Sequence, residues 1–109
     1  ESVSLSREQC FSISYSLRNH KRLQSLTLKD CQVNVAIQVP ESLQLLDLGY
    51  NNISNQEFDD LVDNLGTIKG KFSLNLEANH INSLSMNTIL KLLKRNDLCY
   101  SLNISKNLF

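Results

Sequence analysis

The sequence predicts an α/β fold in which a short strand, a turn and, in part of the chain, a helix recur as one unit. Two observations carry this prediction. A motif of alternating leucines that ends in asparagine returns several times, and in the second half of the chain the motif and an apolar helical stripe return at one fixed spacing. The 109 residues, 41% of them hydrophobic and only three of them glycine, suit one packed domain.

The strand motif is clearest at 43–53, which reads Leu-Gln-Leu-Leu-Asp-Leu-Gly-Tyr-Asn-Asn-Ile. Leu46 and Leu48 alternate on one face of a short strand, and Asn51 stands where the chain turns away from it. One unit of this kind cannot bury its apolar face alone, so copies are expected on both sides. Five strands are expected, centred on Val3, Leu26, Leu46, Leu74 and Leu102.

The spacing between these strands changes at the third one. The intervals are 23 and 20 residues before Leu46, and 28 and 28 residues after it. The segment at 32–42 therefore has room for a turn around Pro40 but not for a helix. We expect repeat units near 1–22, 23–42, 43–70, 71–98 and 99–109.

Helices are predicted in the two longer units and in the first unit. Ser54 and Glu57 have the spacing of a capping box, and the four apolar residues after them share one helical face. Adding 28 to that stripe gives a second one, and both helices are expected to bury it. The eight residues are Phe58, Leu61, Val62, Leu65, Met86, Ile89, Leu90 and Leu93. Gly66 is expected to end the first of these helices, and a capping box at 6–9 indicates a further helix from about 7 to 19.

The first leucine of the motif is replaced in the last two units, by Lys71 and by Cys99. Phe72, beside Lys71, can occupy the buried position instead. Alternatively, the lysine stem packs there while its ammonium group reaches water.

The three cysteines fall on expected core positions, and we interpret them as buried reduced thiols rather than as a disulfide framework. Reduced thiols favour an intracellular location. Asn52 and Asn103 each begin a glycosylation sequon, which favours a secreted protein instead. Both sequons lie inside the strand motif, where asparagine and serine have structural reasons to occur, so the intracellular interpretation is kept.

With five such motifs over its whole length, the chain resembles leucine-rich repeat proteins. Its 28-residue units are similar to repeats of the ribonuclease-inhibitor type, and the segment 39–43 is similar to the Pro-x-x-Leu lead-in of short bacterial repeats. This mixture resembles the leucine-rich repeat effectors of pathogenic bacteria. The resemblance implies a curved solenoid with about five parallel strands on its concave face, helices on its convex face and a protein partner bound to the concave face.

Strand alternation selects the side chains that would line the concave face. Most of them are small and polar, whereas a protein interface normally has aromatic or arginine anchors at its centre. Tyr50 comes nearest to such an anchor. The residues expected to bind a partner are Lys29, Leu45, Asp47, Tyr50, Asn75, Glu77 and Asn103. The alternative is that this face is only solvated.

Two other recurrences have a structural interpretation. Asn51, Asn79 and Asn107 occupy the same place in three units, and their amides are expected to satisfy backbone groups rather than to bind a ligand. Asp63 and Lys91 lie one unit apart, so they are expected to be neighbours on the outer helices.

Several function classes are disfavoured by composition and motif content. Eleven basic residues balance eleven acidic ones, which does not favour nucleic acid, and no apolar run approaches the roughly 18 residues that cross a bilayer. His20 and His80 have no partner at metal-ligand spacing. No nucleophile–base–acid set and no glycine-rich phosphate loop is found, so no cofactor, metal or enzymatic activity is expected.

The leading interpretation is a protein–protein interaction module, part of a bacterial effector that acts in the host cytosol. The alternatives are a repeat segment of a larger enzyme, such as an effector ubiquitin ligase, and an intracellular sensor or inhibitor of ribonuclease-inhibitor type. Because the chain begins at Glu1 without Met, we interpret it as a piece of a longer protein. The side of the fifth strand is expected to be an exposed apolar edge, available for self-association.

Overall fold

The computed structural model describes residues 2–4, 22–30, 40–65, 68, 70–94 and 99–109. These residues form a five-stranded parallel sheet and two helices, so the predicted α/β class is confirmed. The strands are β1 (Ser2–Ser4), β2 (Ser25–Thr27), β3 (Leu45–Asp47), β4 (Phe72–Asn75) and β5 (Cys99–Asn103). The helices are α1 (Asn55–Asn64) and α2 (Met86–Lys94), the second preceded by a 3-10 turn at Ser83–Ser85.

The five strands lie side by side in the order of the chain, and their register reproduces the spacing of the leucine motif. Val3 pairs with Leu26, Leu26 with Leu46, Leu46 with Leu74, and Leu74 with Leu102. The intervals of 23, 20, 28 and 28 residues are therefore the registers of neighbouring strands. Each unit adds one strand beside the strand before it.

One hydrophobic core joins the sheet to the helices. Leu46 and Leu48 are fully buried in the same cluster as Phe58 and Leu61 of α1, because alternate side chains of a strand point to one face. The other alternate set points away from the helices and is half-buried or exposed. We call this set, together with the turn residues that follow it, the open face. Its strand residues are Ser25, Thr27, Leu45, Asp47, Ser73, Asn75, Ser101 and Asn103, and its turn residues are Lys29, Tyr50, Glu77 and Lys106.

Phe72, and not Lys71, occupies the buried position at the start of β4. Phe72 is 1% exposed, as Leu43 is at the equivalent place before β3, whereas Lys71 is exposed. The pairing of β4 with β5 has an irregularity between Phe72 and Ser73, with Phe72 opposite Cys99. This one-residue shift brings the aromatic ring into the core and leaves the lysine in water.

The capping box that begins α1 is present as predicted. The Ser54 hydroxyl accepts a hydrogen bond from the Glu57 backbone N–H at 3.3 Å, and the Glu57 carboxylate accepts one from the Ser54 backbone N–H at 3.2 Å. Two backbone donors that the helix itself cannot satisfy are thereby satisfied.

Replacing Ser54 with alanine is expected to lower the free energy of unfolding by about 1 kcal/mol, because the first turn of α1 loses its cap. Chemical denaturation followed by circular dichroism measures the change. The control is Ser83→Ala, at an exposed serine that caps no helix, with an expected change of less than about 0.5 kcal/mol. Equal losses for the two variants would contradict the capping role.

Helix α2 buries a different set of residues from the one predicted. All four stripe residues of α1 are buried, whereas in α2 only Ile89 of the predicted four is buried, together with Leu92. Met86, Leu90 and Leu93 are 43%, 44% and 51% exposed, so the prediction is wrong for these three. The reason is position: α1 has a further unit packed against it, and among the described residues α2 has none on its far side.

The predicted contact between the helices is confirmed. Lys91 and Asp63 approach to 3.5 Å, with side chains that are 63% and 70% exposed, so the pair contributes only about 0 to 1 kcal/mol. Nearby, the Thr88 hydroxyl donates to the Asp59 carboxylate.

Other predictions concern residues outside the described ones. These are the helix at 7–19, most of the turn at 32–42 and the helix end at Gly66. His20 and the thiols of Cys10, Cys31 and Cys99 also lie outside the described part.

Candidate partner-binding surface

The turns that follow β2, β3, β4 and β5 share one backbone conformation. At the same place in each turn one residue has a positive φ: 53° at Asp30, 60° at Tyr50, 57° at Ala78 and 56° at Lys106. After β3, Asn52 has a positive φ as well, of 57°. Asp30, Tyr50 and Ala78 donate their backbone N–H to a carbonyl in the next turn, at 2.9 to 3.0 Å. The hydrogen-bonded ladder of the sheet therefore continues into the turns, and their side chains form a regular column.

Three of the predicted site residues hold these turns in place. The side-chain oxygens of Asp47, Asn75 and Asn103 each accept a hydrogen bond, at 3.0 Å, from the backbone N–H two residues further on. This is the geometry of an Asx turn. The structure thus gives these polar groups a structural role on the open face, which the sequence analysis did not anticipate.

Tyr50 is an unusual residue for a position with positive φ. The left-handed conformation costs most residues about 1 to 2 kcal/mol, and asparagine and aspartate are the ones that tolerate it with local hydrogen bonds. Asp30 in the same column fits that rule, whereas Tyr50, Ala78 and Lys106 do not. The turn that the units share therefore imposes the conformation, and at Tyr50 it places an aromatic side chain in the column.

Two lysines contact the Tyr50 side chain, one at its ring and one at its hydroxyl. The Lys29 ammonium group lies 4.9 Å from the ring centroid, within range of a cation–π interaction. The Lys106 Nζ lies 3.5 Å from the Tyr50 hydroxyl and 3.5 Å from a Glu77 carboxylate oxygen. We call these four residues the Tyr50 cluster: Lys29, Tyr50, Glu77 and Lys106.

The charge of Lys106 is reinforced within this cluster. Its pKa is raised, first by the hydrogen bond to Tyr50 and further by the Glu77 carboxylate. A lysine ammonium group is protonated throughout the neutral range in any case. The 39% exposed Tyr50 side chain therefore lies beside two cationic groups at neutral pH.

Leu45 is the second apolar group that projects from the open face. It is 38% exposed and lies in register between Ser25 and Ser73, whose side chains are much smaller. Leu45 and Tyr50 belong to the same unit and stand at opposite ends of β3.

The structure thus divides the seven predicted site residues into three groups. Lys29, Tyr50 and Glu77 come together, Leu45 stands apart at the start of β3, and the remaining three hold the turns. Lys106 joins the cluster although it was not among the seven. Periodicity places it on the same face, because Lys106 lies 56 residues after Tyr50, two 28-residue units along the same column.

The recurring asparagines have the structural role that was predicted. Asn51 and Asn79 are 4% and 2% exposed. The Asn79 amide donates to the carbonyls of Leu48 and Leu76, both at 3.0 Å, and its oxygen accepts from two backbone N–H groups of the preceding unit at 3.0 and 2.9 Å. Asn107 makes similar bonds one unit later. We call this set the asparagine ladder.

The described residues contain no group of three or more His, Cys, Asp and Glu side chains that could hold a metal ion. In the same part of the chain, no helix has the length and apolar character to cross a membrane. The chemistry that the open face does offer is that of contact: an aromatic ring, a leucine and paired charges.

Compared with models of protein families, with curated proteins and with solved structures, the chain matches none. The geometry of the chain itself defines the class of the protein, a parallel α/β sheet whose successive units repeat the same turn and the same asparagine bonds.

Proposed function

We propose that the chain is a leucine-rich repeat solenoid that binds a protein partner on the open face of its sheet, with the Tyr50 cluster at the centre of the contact. In this proposal the open face is the concave face. The observation that carries the binding role is Tyr50 itself, an exposed aromatic side chain beside two lysines.

The repeat architecture is supported by contacts that return from unit to unit. Asx turns end β3, β4 and β5, a positive-φ residue follows each of them, and the asparagine ladder links each unit to the one before. In a solenoid each unit contacts its neighbours in one repeated way. The same bonds at the same places in successive units are what that architecture requires.

Tyr50 has the properties of an interface anchor. Tyrosine is enriched among the few residues that carry most of the binding energy at protein interfaces. Its ring is contacted by Lys29 and its hydroxyl by Lys106, and its backbone is held by the hydrogen bond to the next turn. A side chain that is already ordered loses less conformational entropy when a partner binds.

The mixed surroundings of Tyr50 suit a polar protein surface. Asp47 and Glu77 place carboxylates on the same side as the two lysines, so the surface carries both signs of charge. Complementary charges across an interface select the partner and its orientation more than they add affinity. The apolar contacts of Tyr50 and Leu45 would then supply most of the affinity.

The Tyr50→Ala variant tests the proposal. A partner is first captured from eukaryotic cell lysate and identified, and its affinity is then measured by calorimetry. We expect Tyr50→Ala to weaken binding by about 30-fold, equivalent to about 2 kcal/mol, because the anchor is removed. Tyr50→Phe keeps the ring and is expected to lose less.

The matched control is Leu84→Ala, at an 83% exposed leucine outside the open face, which is expected to bind as the unchanged chain does. Thermal unfolding of each variant confirms that the fold is kept. If Tyr50→Ala and Leu84→Ala bound equally well, the contact would lie elsewhere and the proposal would be wrong.

The setting that we propose for this binding is a bacterial effector acting in the host cytosol. It is supported by the change of unit length from 20 to 28 residues at β3. A fusion of the bacterial protein to a cytosol-activated reporter tests it: signal in infected host cells is expected, and a signal confined to the bacteria would contradict it.

A further inference from the structure

The residue that precedes each positive-φ residue forms a second column across the turns. Its four members are Lys29, Gly49, Glu77 and Ser105. Lys29 and Ser105 are exposed and Glu77 is half-buried, whereas Gly49 is buried. A residue without a side chain, lying between two turn residues of the open face, is buried only when neighbouring side chains cover it. Gly49 therefore lies beneath the side chains of its neighbours.

The backbone does not require glycine at this place. No glycine among the described residues has a positive φ, so Gly49 has a conformation that other residues adopt. The Asx turn does not require glycine either, because Glu77 and Ser105 donate their N–H groups to the same turn one and two units later. What distinguishes position 49 is therefore the space that a glycine leaves.

The Lys29 side chain passes through the space above Gly49. A Cβ atom placed on Gly49 would lie 3.9 Å from Cγ of Lys29 and 3.2 Å from Oδ1 of Asp47. From Cγ the lysine continues to its ammonium group, which lies 4.9 Å from the centroid of the Tyr50 ring. The lysine stem thus crosses Gly49 to reach the ring, and a longer side chain at 49 would compete with it for the same space.

Ala78 has the corresponding position between Tyr50 and Lys106. Neighbouring strands lie about 4.8 Å apart, so the backbones of Tyr50 and Lys106, two strands apart, are separated by about 10 Å. Their side chains nevertheless meet, with 3.5 Å between the Tyr50 hydroxyl and the Lys106 Nζ. The residue between them in the column of positive-φ residues is Ala78, which has the smallest side chain of the four. The contact therefore spans Ala78, and a long side chain there would obstruct it.

We propose that Gly49 and Ala78 are positioning residues of the partner-binding surface: their small size leaves the space through which Lys29 and Lys106 reach Tyr50. The inference rests on the proposed function, in which Tyr50 is the anchor of the contact. A side chain that is ordered before the partner arrives loses less conformational entropy on binding. Gly49 and Ala78 thus contribute to affinity through Tyr50 and not by contacts of their own.

Nuclear magnetic resonance of the chain alone tests the position of Lys29. Protons that lie over an aromatic ring are shifted upfield by its ring current, so the ε-methylene protons of Lys29 are expected upfield of their usual position. Tyr50→Leu is expected to abolish this shift. Gly49→Gln is expected to abolish it as well, because the glutamine side chain occupies the path of the lysine.

The matched control is Gly49→Ala, which adds only the Cβ atom and is expected to keep the shift. The neighbouring units show that the Asx turn accepts a Cβ atom at this place. Backbone amide shifts of the asparagine ladder check that each variant keeps its fold. A Lys29 signal at its usual position in the unchanged chain, an upfield signal that persisted in Gly49→Gln, or an equal loss in both variants would overturn the inference.

The role of Ala78 is tested by nuclear Overhauser contacts between the Tyr50 ring and the ε-methylene protons of Lys106. These contacts are expected in the unchanged chain and in Ala78→Ser, and they are expected to disappear in Ala78→Gln. The backbone accepts glutamine here, since Tyr50 and Lys106 are themselves long residues at positive φ in the same column. Contacts that survived in Ala78→Gln would remove Ala78 from the proposal.

A binding measurement separates this inference from the proposed function. With the partner identified by capture from lysate, Gly49→Gln is expected to weaken binding about threefold, because Tyr50 must then become ordered as the partner binds. In a Lys29→Ala background the same change is expected to cost nothing further, since no lysine is displaced. Unchanged affinity of Gly49→Gln, with Tyr50→Ala still weak, would overturn the inference. If the resonance results held and Tyr50→Ala bound normally, the proposed function would fail instead.

Discussion

Replacing Phe72 with alanine is expected to lower the free energy of unfolding by about 4 kcal/mol, the largest loss that we expect from any single change in this chain. The ring is 1% exposed and belongs to the core that joins the sheet to α1. Its removal leaves a cavity at the start of β4 that the surrounding leucines can fill only in part. Urea denaturation, followed by circular dichroism, measures the loss.

The neighbouring residue provides the control. Lys71→Ala is expected to change the free energy of unfolding by less than about 0.5 kcal/mol, because the lysine is exposed. If the larger loss came from Lys71→Ala, the lysine stem and not the phenylalanine ring would fill the buried position, and the register of β4 would have to shift by one residue.

Asn79→Ala is expected to lower the free energy of unfolding by about 3 kcal/mol, although it removes few apolar contacts. The Asn79 amide satisfies carbonyls of Leu48 and Leu76 and backbone N–H groups of Asn51 and Ile53. The side chain is 2% exposed, so water cannot readily replace these bonds. An unsatisfied buried polar group costs about 1 to 3 kcal/mol, and several are left here.

The asparagine ladder supplies its own control. Asn107→Ala removes the same kind of bonds one unit later, where the side chain is only half-buried and water can enter. Its expected cost is about 1 kcal/mol. Thermal and chemical denaturation of both variants compare the two positions, and losses of equal size would show that burial of the ladder does not control its contribution.

The features that could be predicted from the sequence are those that depend on neighbours along the chain or on a fixed repeat. The strand registers follow from the spacing of Leu26, Leu46, Leu74 and Leu102, since equivalent residues of repeated units pair with one another. The cap of α1 follows from Ser54 and its neighbours, and the asparagine ladder follows from recurrence. Part of the Tyr50 cluster was predictable because strand alternation selects the face.

Other features depend on which unit packs against which and on the directions of side chains, and periodicity alone could not show them. The fourth unit repeats the apolar stripe of α1, yet Leu90 and Leu93 are exposed because burial requires a neighbour on the far side. The Asx turns of Asp47 and Asn75 depend on the direction of their side chains. Lys106 joins Tyr50 because the turns stack across the sheet.

The sequence by itself determined which residues are equivalent from unit to unit. From that equivalence follow the strand order, the strand register, the helix α1 and the position of each recurring asparagine. The tertiary structure decided which of those equivalent residues are buried, which residue occupies the core position at the start of β4, and which side chains of different units contact one another. Phe72 shows the difference most clearly, because the repeat allowed either it or Lys71 at the core position. Apolar area removed from water favours the ring, and the irregular pairing of β4 with β5 accommodates it.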